Sequence, residues 1–162
     1  MNDNLNLTMV TFRLDDKEWH GRPSETLWAA PVPRSDFGEL LQLRNSPFFA
    51  KEISFLDIIR AKPNVDGEGL EFVEVVERSG HSTYMILVSQ DESKFEENWE
   101  KLNNLGCTYE SKSIIVNKKN MKLYAVDVPA ISDIYEVYPI LEQGESSGTW
   151  VFQEGHVGHR LK

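Results

Sequence analysis

The sequence predicts an α+β fold in two packed halves: an N-terminal small β-barrel-like half, residues 1–80, against a C-terminal ferredoxin-like βαββαβ half, residues 81–162. Three observations carry this. Short period-2 apolar runs broken by turn residues fill the first half; such runs are half-buried strands. Two segments of helical period follow only after residue 90. The change of regime falls at residues 77–83, with no flexible linker, which favours packed modules.

In the first half, Val10, Phe12 and Leu14 alternate with Thr11 and Arg13 and predict a strand. Thr26–Ala30 predicts a second, stopped by Pro31 and Pro33, which donate no ladder hydrogen bond. Phe37, Leu41 and Leu43 share parity in a third. Asp57–Ala61 and Leu70–Val76 are two more, joined through the turn-rich stretch 64–69. Ser54 and Asp57 have capping-box spacing and predict one helical turn. Many short strands with frequent turns predict a small, curved barrel.

In the second half, Tyr84–Val88 is an apolar strand. Phe95, Trp99 and Leu102 then recur at helical spacing, with Ser93 and Glu96 as a capping box and Gly106 at the stop. Ser111–Val116 and Leu123–Val128 are strands around a hairpin at 117–120. Ile134, Val137, Tyr138 and Leu141 predict a second helix, closed by Gly144 and kinked or shortened by Pro139. Thr149–Gln153 is the final strand. The order is the split βαβ arrangement of ferredoxin-like folds.

Four stretches stand in a distinctive order: Glu25-Thr26-Leu27-Trp28, Asn45-Ser46-Pro47-Phe48-Phe49, Ser54-Phe55-Leu56-Asp57-Ile58-Ile59 and Ser79-Gly80-His81-Ser82-Thr83. Through them the chain, from about Phe12 to about Gly155, resembles a bacterial family known as domain of unknown function 4265. The resemblance implies a shared design at these positions and no reaction. Of these residues, Trp28, Phe48 and Phe49 have core packing as their commonest use and an aromatic recognition surface as the alternative. Asn45 and Pro47 fix a turn. Asp57 reads as a cap or turn acceptor rather than a general base.

The stretch ERSGHSTY, 77–84, sets Ser79, Ser82 and His81 together, the materials of nucleophilic catalysis. Alternation along a strand works against it: Ser79 and His81 can share a face, His81 and Ser82 cannot. A structural lock or a binding cleft where the halves meet is the expectation for Ser79, His81 and Ser82, and no catalytic residue is assigned. His156 and His159 sit among glycines in a tail expected to be solvated, and no metal or cofactor motif is recognised. Cys107 has no cysteine partner and reads as a buried small hydrophobe.

The net charge of −9, from 26 acids and 17 bases, repels phosphate backbones, so nucleic acid is not an expected partner. No apolar run reaches the length of a membrane helix and no secretory leader is evident, so a cytoplasmic location is expected. The leading expectation is a non-catalytic protein-binding protein, with an immunity or antitoxin-type inhibitor of a basic bacterial toxin as its concrete form. The alternative is a small-molecule or nucleotide-responsive regulatory domain with its ligand between the halves. The oligomeric state is not legible.

Overall fold

The computed structural model describes residues 6–33, 40–89 and 91–162. They form nine strands and two helices in two sheets. The first sheet contains β1 (Thr8–Arg13), β2 (Ser24–Pro31), β3 (Leu40–Leu43), β4 (Ile58–Pro63) and β5 (Leu70–Glu77). Each strand pairs antiparallel with the next, and β5 returns to β1 through two parallel residue pairs, so the sheet closes on itself. Alternation places Val10, Phe12, Leu27, Ala29, Leu41, Leu43, Ile59 and Ala61 inside. The same alternation turns Trp28 outward, 44% exposed opposite Met9, so it is no core residue. The expected contribution of Phe37 lies outside the described residues.

The second half runs β6 (Ser82–Ser89), α1 (Phe95–Asn104), β7 (Thr108–Val116), β8 (Lys119–Val128), α2 (Ile134–Ser146) and β9 (Val151–His156). Its strands form an antiparallel sheet in the order β7-β8-β6-β9. One face carries both helices over a core of Tyr84, Ile86, Phe95, Leu102, Tyr124, Val126, Val137, Leu141 and Trp150. Cys107 is buried here as expected, and burial pushes its thiol up to about 12. The other face is covered by the first half: Phe49 packs against Met85, Ile114 and Leu123, with Phe48 partly buried beside it.

Several local features differ from those the sequence predicts. The first helix has no serine cap; its N-cap is Lys94, whose N–H is accepted by the Glu92 carboxylate at 2.8 Å. Its stop is as read: Gly106, at φ +94°, donates to Asn103 O and Cys107 donates to Leu102 O, the paired bonds of a Schellman end. The β7–β8 hairpin has only two loop residues, Asn117 and Lys118, both at positive φ. Pro139 lies inside α2 without shortening it. Gly144 does not close that helix; Gly148, at φ +79°, follows its C-cap.

Gly144 instead admits a ring. A Cβ there would lie 2.1 Å from Trp150 Cε2, and that indole is fixed by Nε1–H donating to Leu141 O at 3.0 Å. Alanine is the better helix former by about 1 kcal/mol, but displacing a packed ring costs about 1–3 kcal/mol or more. Packing outweighs propensity. Gly144→Ala is therefore expected to lower Tm by about 4 °C or more in a thermal melt; an unchanged or raised Tm would contradict this packing.

Candidate functional site at the junction of the sheets

Residues 44–57, between β3 and β4, meet the second sheet. Glu25 anchors the start of this segment, its carboxylate accepting the N–H groups of Phe48, Phe49 and Ala50 at 2.6, 2.9 and 2.8 Å. Asn45 Oδ1 accepts from Trp28 N–H at 2.8 Å. The Phe49 ring so presented lies under the Arg22 guanidinium and the Lys112 ammonium, 4.7 and 5.1 Å from its centroid. Glu25 lies in the motif with Trp28, yet nothing in its local pattern signals that it receives three amides from a segment over twenty residues away.

Ser54–Asp57 is a tight turn. Asp57 N–H donates to Ser54 O at 3.1 Å, and the Asp57 carboxylate reaches back to Ser54 N–H at 2.9 Å. The capping-box contact exists, but Leu56 sits at φ +68°, so the segment turns away from a right-handed helix. The expected helical turn is absent for that reason. Asp57, 1% exposed, also accepts from Ser79 N–H at 2.8 Å and from Arg78 Nη1 at 3.3 Å. Arg78 Nη1 donates as well to Glu52 O at 2.6 Å.

Ser79, His81 and Thr83 of the ERSGHSTY stretch are committed along the same line. Ser79 Oγ donates to Phe55 O at 2.8 Å and accepts from His81 N–H at 3.2 Å. Thr83 Oγ1 donates to Ser54 Oγ at 2.8 Å. Gly80, at φ +88°, reverses the chain between Ser79 and His81. His81 and Ser82 face apart, as strand alternation requires. His81 Nδ1–H donates to the Asp127 carboxylate at 2.8 and 3.1 Å, with the ring edge-on to Phe55.

Ser82 is paired instead with a histidine from the tail. Pro129 O accepts His159 Nε2–H at 2.9 Å, which leaves Nδ1 to accept Ser82 O–H at 2.6 Å. Ser82 Oγ in turn accepts from Gly158 N–H and His159 N–H at 2.9 and 3.3 Å. The tail is thus docked rather than solvated, and a Cβ on Gly158 would strike His81 O at 2.2 Å. Two parts of a hydrolytic triad occur, but separately. His81–Asp127 has the imidazole–carboxylate pair, with Ser79 Oγ spent on backbone groups; Ser82–His159 has the hydroxyl–imidazole pair, with Ser82 fully buried.

Two cavities of about 240 Å³ lie at the junction, one lined by His81 and the other by its partner Asp127. One is lined by Gln42, Leu56, Ile58, Glu77, Arg78, Ser79 and His81. The other is lined from both halves, by Arg44, Asn45, Ser46 and Phe55 on one side and Thr108, Tyr109, Glu110, Ala125 and Asp127 on the other. Burial pushes the Asp127 carboxyl up, against the pull of the His81 hydrogen bond and charge. Burial also raises Glu110, opposed by hydrogen bonds from the Asn45 side chain and the Ser46 backbone. Of the residues singled out in the sequence, Ser79, His81, Ser82 and Asp57 gather at this junction, Asn45 lines the second cavity, Phe48 and Phe49 lie in the interface, and Trp28 faces outward. Among the described residues no cluster has the make-up of a metal site.

His156, opposite Thr83 in β9, is pushed below the usual histidine range by burial and by the Arg78 charge, with Asp57 and Glu52 pulling the other way. The unfolded chain takes up a proton near about pH 6.5 and the folded chain only lower, so stability is lost as pH falls below about 6.5. Urea unfolding at about pH 7.5 and about pH 5.5 is expected to show a smaller loss in His156→Gln than in the parent; an equal or larger loss would remove His156 as the cause.

A family model described as a domain of unknown function (DUF4265) matches residues 25–152. No curated protein matches the chain. Among solved structures, a hypothetical protein from Neisseria gonorrhoeae is similar with a TM-score of 0.69 at 18% identity, over 94% of this chain and 96% of that one. That likeness concerns the fold alone. The family match runs from β2 to β9 and takes in all four motifs around the junction, and the chain belongs to the DUF4265 family.

Proposed function

We propose that this chain is a non-catalytic recognition protein that holds a basic protein partner against its helical layer, in the manner of an immunity or antitoxin-type inhibitor of a basic toxin. One observation carries the reading. Residues 91–104 and 133–147, which contain α1 and α2, carry nine carboxylates and two lysines, so seven of the chain's nine net negative charges lie there. The carboxylates are Asp91, Glu92, Glu96, Glu97, Glu100, Asp133, Glu136, Glu142 and Glu145, and all but the half-buried Glu92 are exposed.

In the first half some of the acids are neutralised. Glu18, Glu71 and Glu74 are each paired, with Lys51, Arg13 and Arg60. Among the described residues none of the nine helical-layer carboxylates has an ion-pair partner. Charges left unneutralised on one face steer an oppositely charged partner and raise its association rate. Glu96, Glu97 and Glu100 also line an open groove floored by Trp99 and Tyr109, whose rings meet edge-on at 4.6 Å. An aromatic floor under carboxylates suits a lysine or arginine side chain.

In this reading the closed sheet is a small β-barrel module and the βαββαβ unit is a ferredoxin-like module that carries the recognition face. The order β7-β8-β6-β9, with both helices on one face, supports the latter.

The test compares the parent with the triple variant E96Q/E97Q/E100Q as baits in an extract of the native host, at low and at high salt. The expected result is a basic protein held by the parent, released by salt, weakened about tenfold or more by the variant, and harmful when expressed without this chain. Equal retention by both baits, or no protein held at low salt, overturns the proposal.

A further inference from the structure

The cavity between the sheets has chemistry of its own, apart from the acidic helical layer. Its volume, about 240 Å³, lies just below the range of about 300–1,000 Å³ typical of sites for drug-sized ligands, and suits a smaller molecule. Asp127 lines it as a carboxylate only 6% exposed, with a single imidazole, His81, as its side-chain partner among the described residues. Glu110 lines it as a second carboxylate and Phe55 supplies an aromatic wall, while the Tyr109 ring lies on the other face of the sheet against Trp99 and Tyr124. Arg44 lines it too, and among the described residues its buried Nε has no hydrogen-bond partner. A buried donor without an acceptor carries a desolvation cost that a bound acceptor removes.

We infer that this cavity binds a small zwitterion of the amino-acid class, its ammonium held by Asp127 and Glu110 and its carboxylate accepting from Arg44. The charge count decides among ligand types. Two carboxylates against one guanidinium repel a phosphate or nucleotide, whereas an ammonium gains both carboxylates. A ligand with an ammonium alone leaves Arg44 Nε without an acceptor; a carboxylate alone meets two like charges. Both halves line the cavity, so occupancy would also bridge the two sheets.

The test is an NMR titration of the intact chain with each of the twenty free L-amino acids, and with ethylamine and acetate as single-charge fragments. At least one amino acid is expected to shift the amide signals of Asn45, Tyr109 and Asp127 saturably at millimolar concentration or below, and each fragment to bind more weakly. Asp127→Asn and Glu110→Gln are each expected to weaken that amino acid about tenfold or more, and Arg44→Met to weaken it while leaving ethylamine unchanged. Glu110→Gln, at the exposed rim, serves should Asp127→Asn fail to fold. No saturable shift with any amino acid, or affinities unchanged in Glu110→Gln and Arg44→Met, overturns the inference. Neither outcome touches the helical-layer glutamates, so this test and that of the protein partner fail independently.

Discussion

A single carboxylate, that of Asp57, fixes how the two sheets meet. It accepts hydrogen bonds from Ser54 in its own turn and from Ser79 in the connection between the sheets, and it pairs with Arg78, which also holds Glu52 O. A carboxylate removed from water needs such partners, because desolvation without them costs several kcal/mol. The turn 54–57 and the connection 78–81 therefore have one low-energy arrangement. Neighbouring bonds follow from it: Ser79 on Phe55 O, Thr83 on Ser54, and Glu52 N–H on Gly155 O in β9. Sequence-distant segments become one joint.

That joint sets what the rest of the molecule offers. With 44–57 held, the three amides bound by Glu25 place Phe49 on the apolar face formed by Met85, Ile114 and Leu123. The opposite face of the same sheet is left to the helices, whose outer surfaces carry the unpaired carboxylates. Where the apolar contact ends, Arg44 and Asn45 from one half face Glu110 and Asp127 from the other across a cavity. Asp127, which lines the cavity, orients His81, and Phe55 backs the imidazole. A rigid junction beside a preformed cavity reduces the ordering cost of any ligand there.

The fold was legible where a period repeats, and the junction was not. Alternation in Val10–Phe12 and helical spacing in Phe95–Trp99–Leu102 found their elements, because one buried face imposes one period. Trp28 could not be placed: Leu27, Trp28, Ala29 and Ala30 are all apolar, and only the register with β1 decides which face each takes. Ser93 looked like a cap because its spacing to Glu96 fits, yet the glutamate one residue before it takes the local bond instead. Gly144 has the composition of a helix stop; its role depends on Trp150, six residues on and packed across the helix. The motifs near Ser79 and Asp57 were visible as a set, but their bonds join residues 22 to 26 positions apart, which no local pattern encodes. Ser82 lay further still from its partner, His159, in a tail whose glycines resemble those of a free end.

The Asp57 carboxylate joins the sheets. Replacing it by asparagine keeps its shape but turns one acceptor into a donor facing an N–H group. Hydrogen exchange and urea unfolding of Asp57→Asn test this directly. The amides of Ser54 and Ser79 are expected to lose protection, the thiol of Cys107 deep in the other core to stay inaccessible, and the chain to lose about 2–3 kcal/mol of stability. Protection at Ser54 and Ser79 equal to the parent's, with stability unchanged, would show that the sheets meet as they do for some other reason.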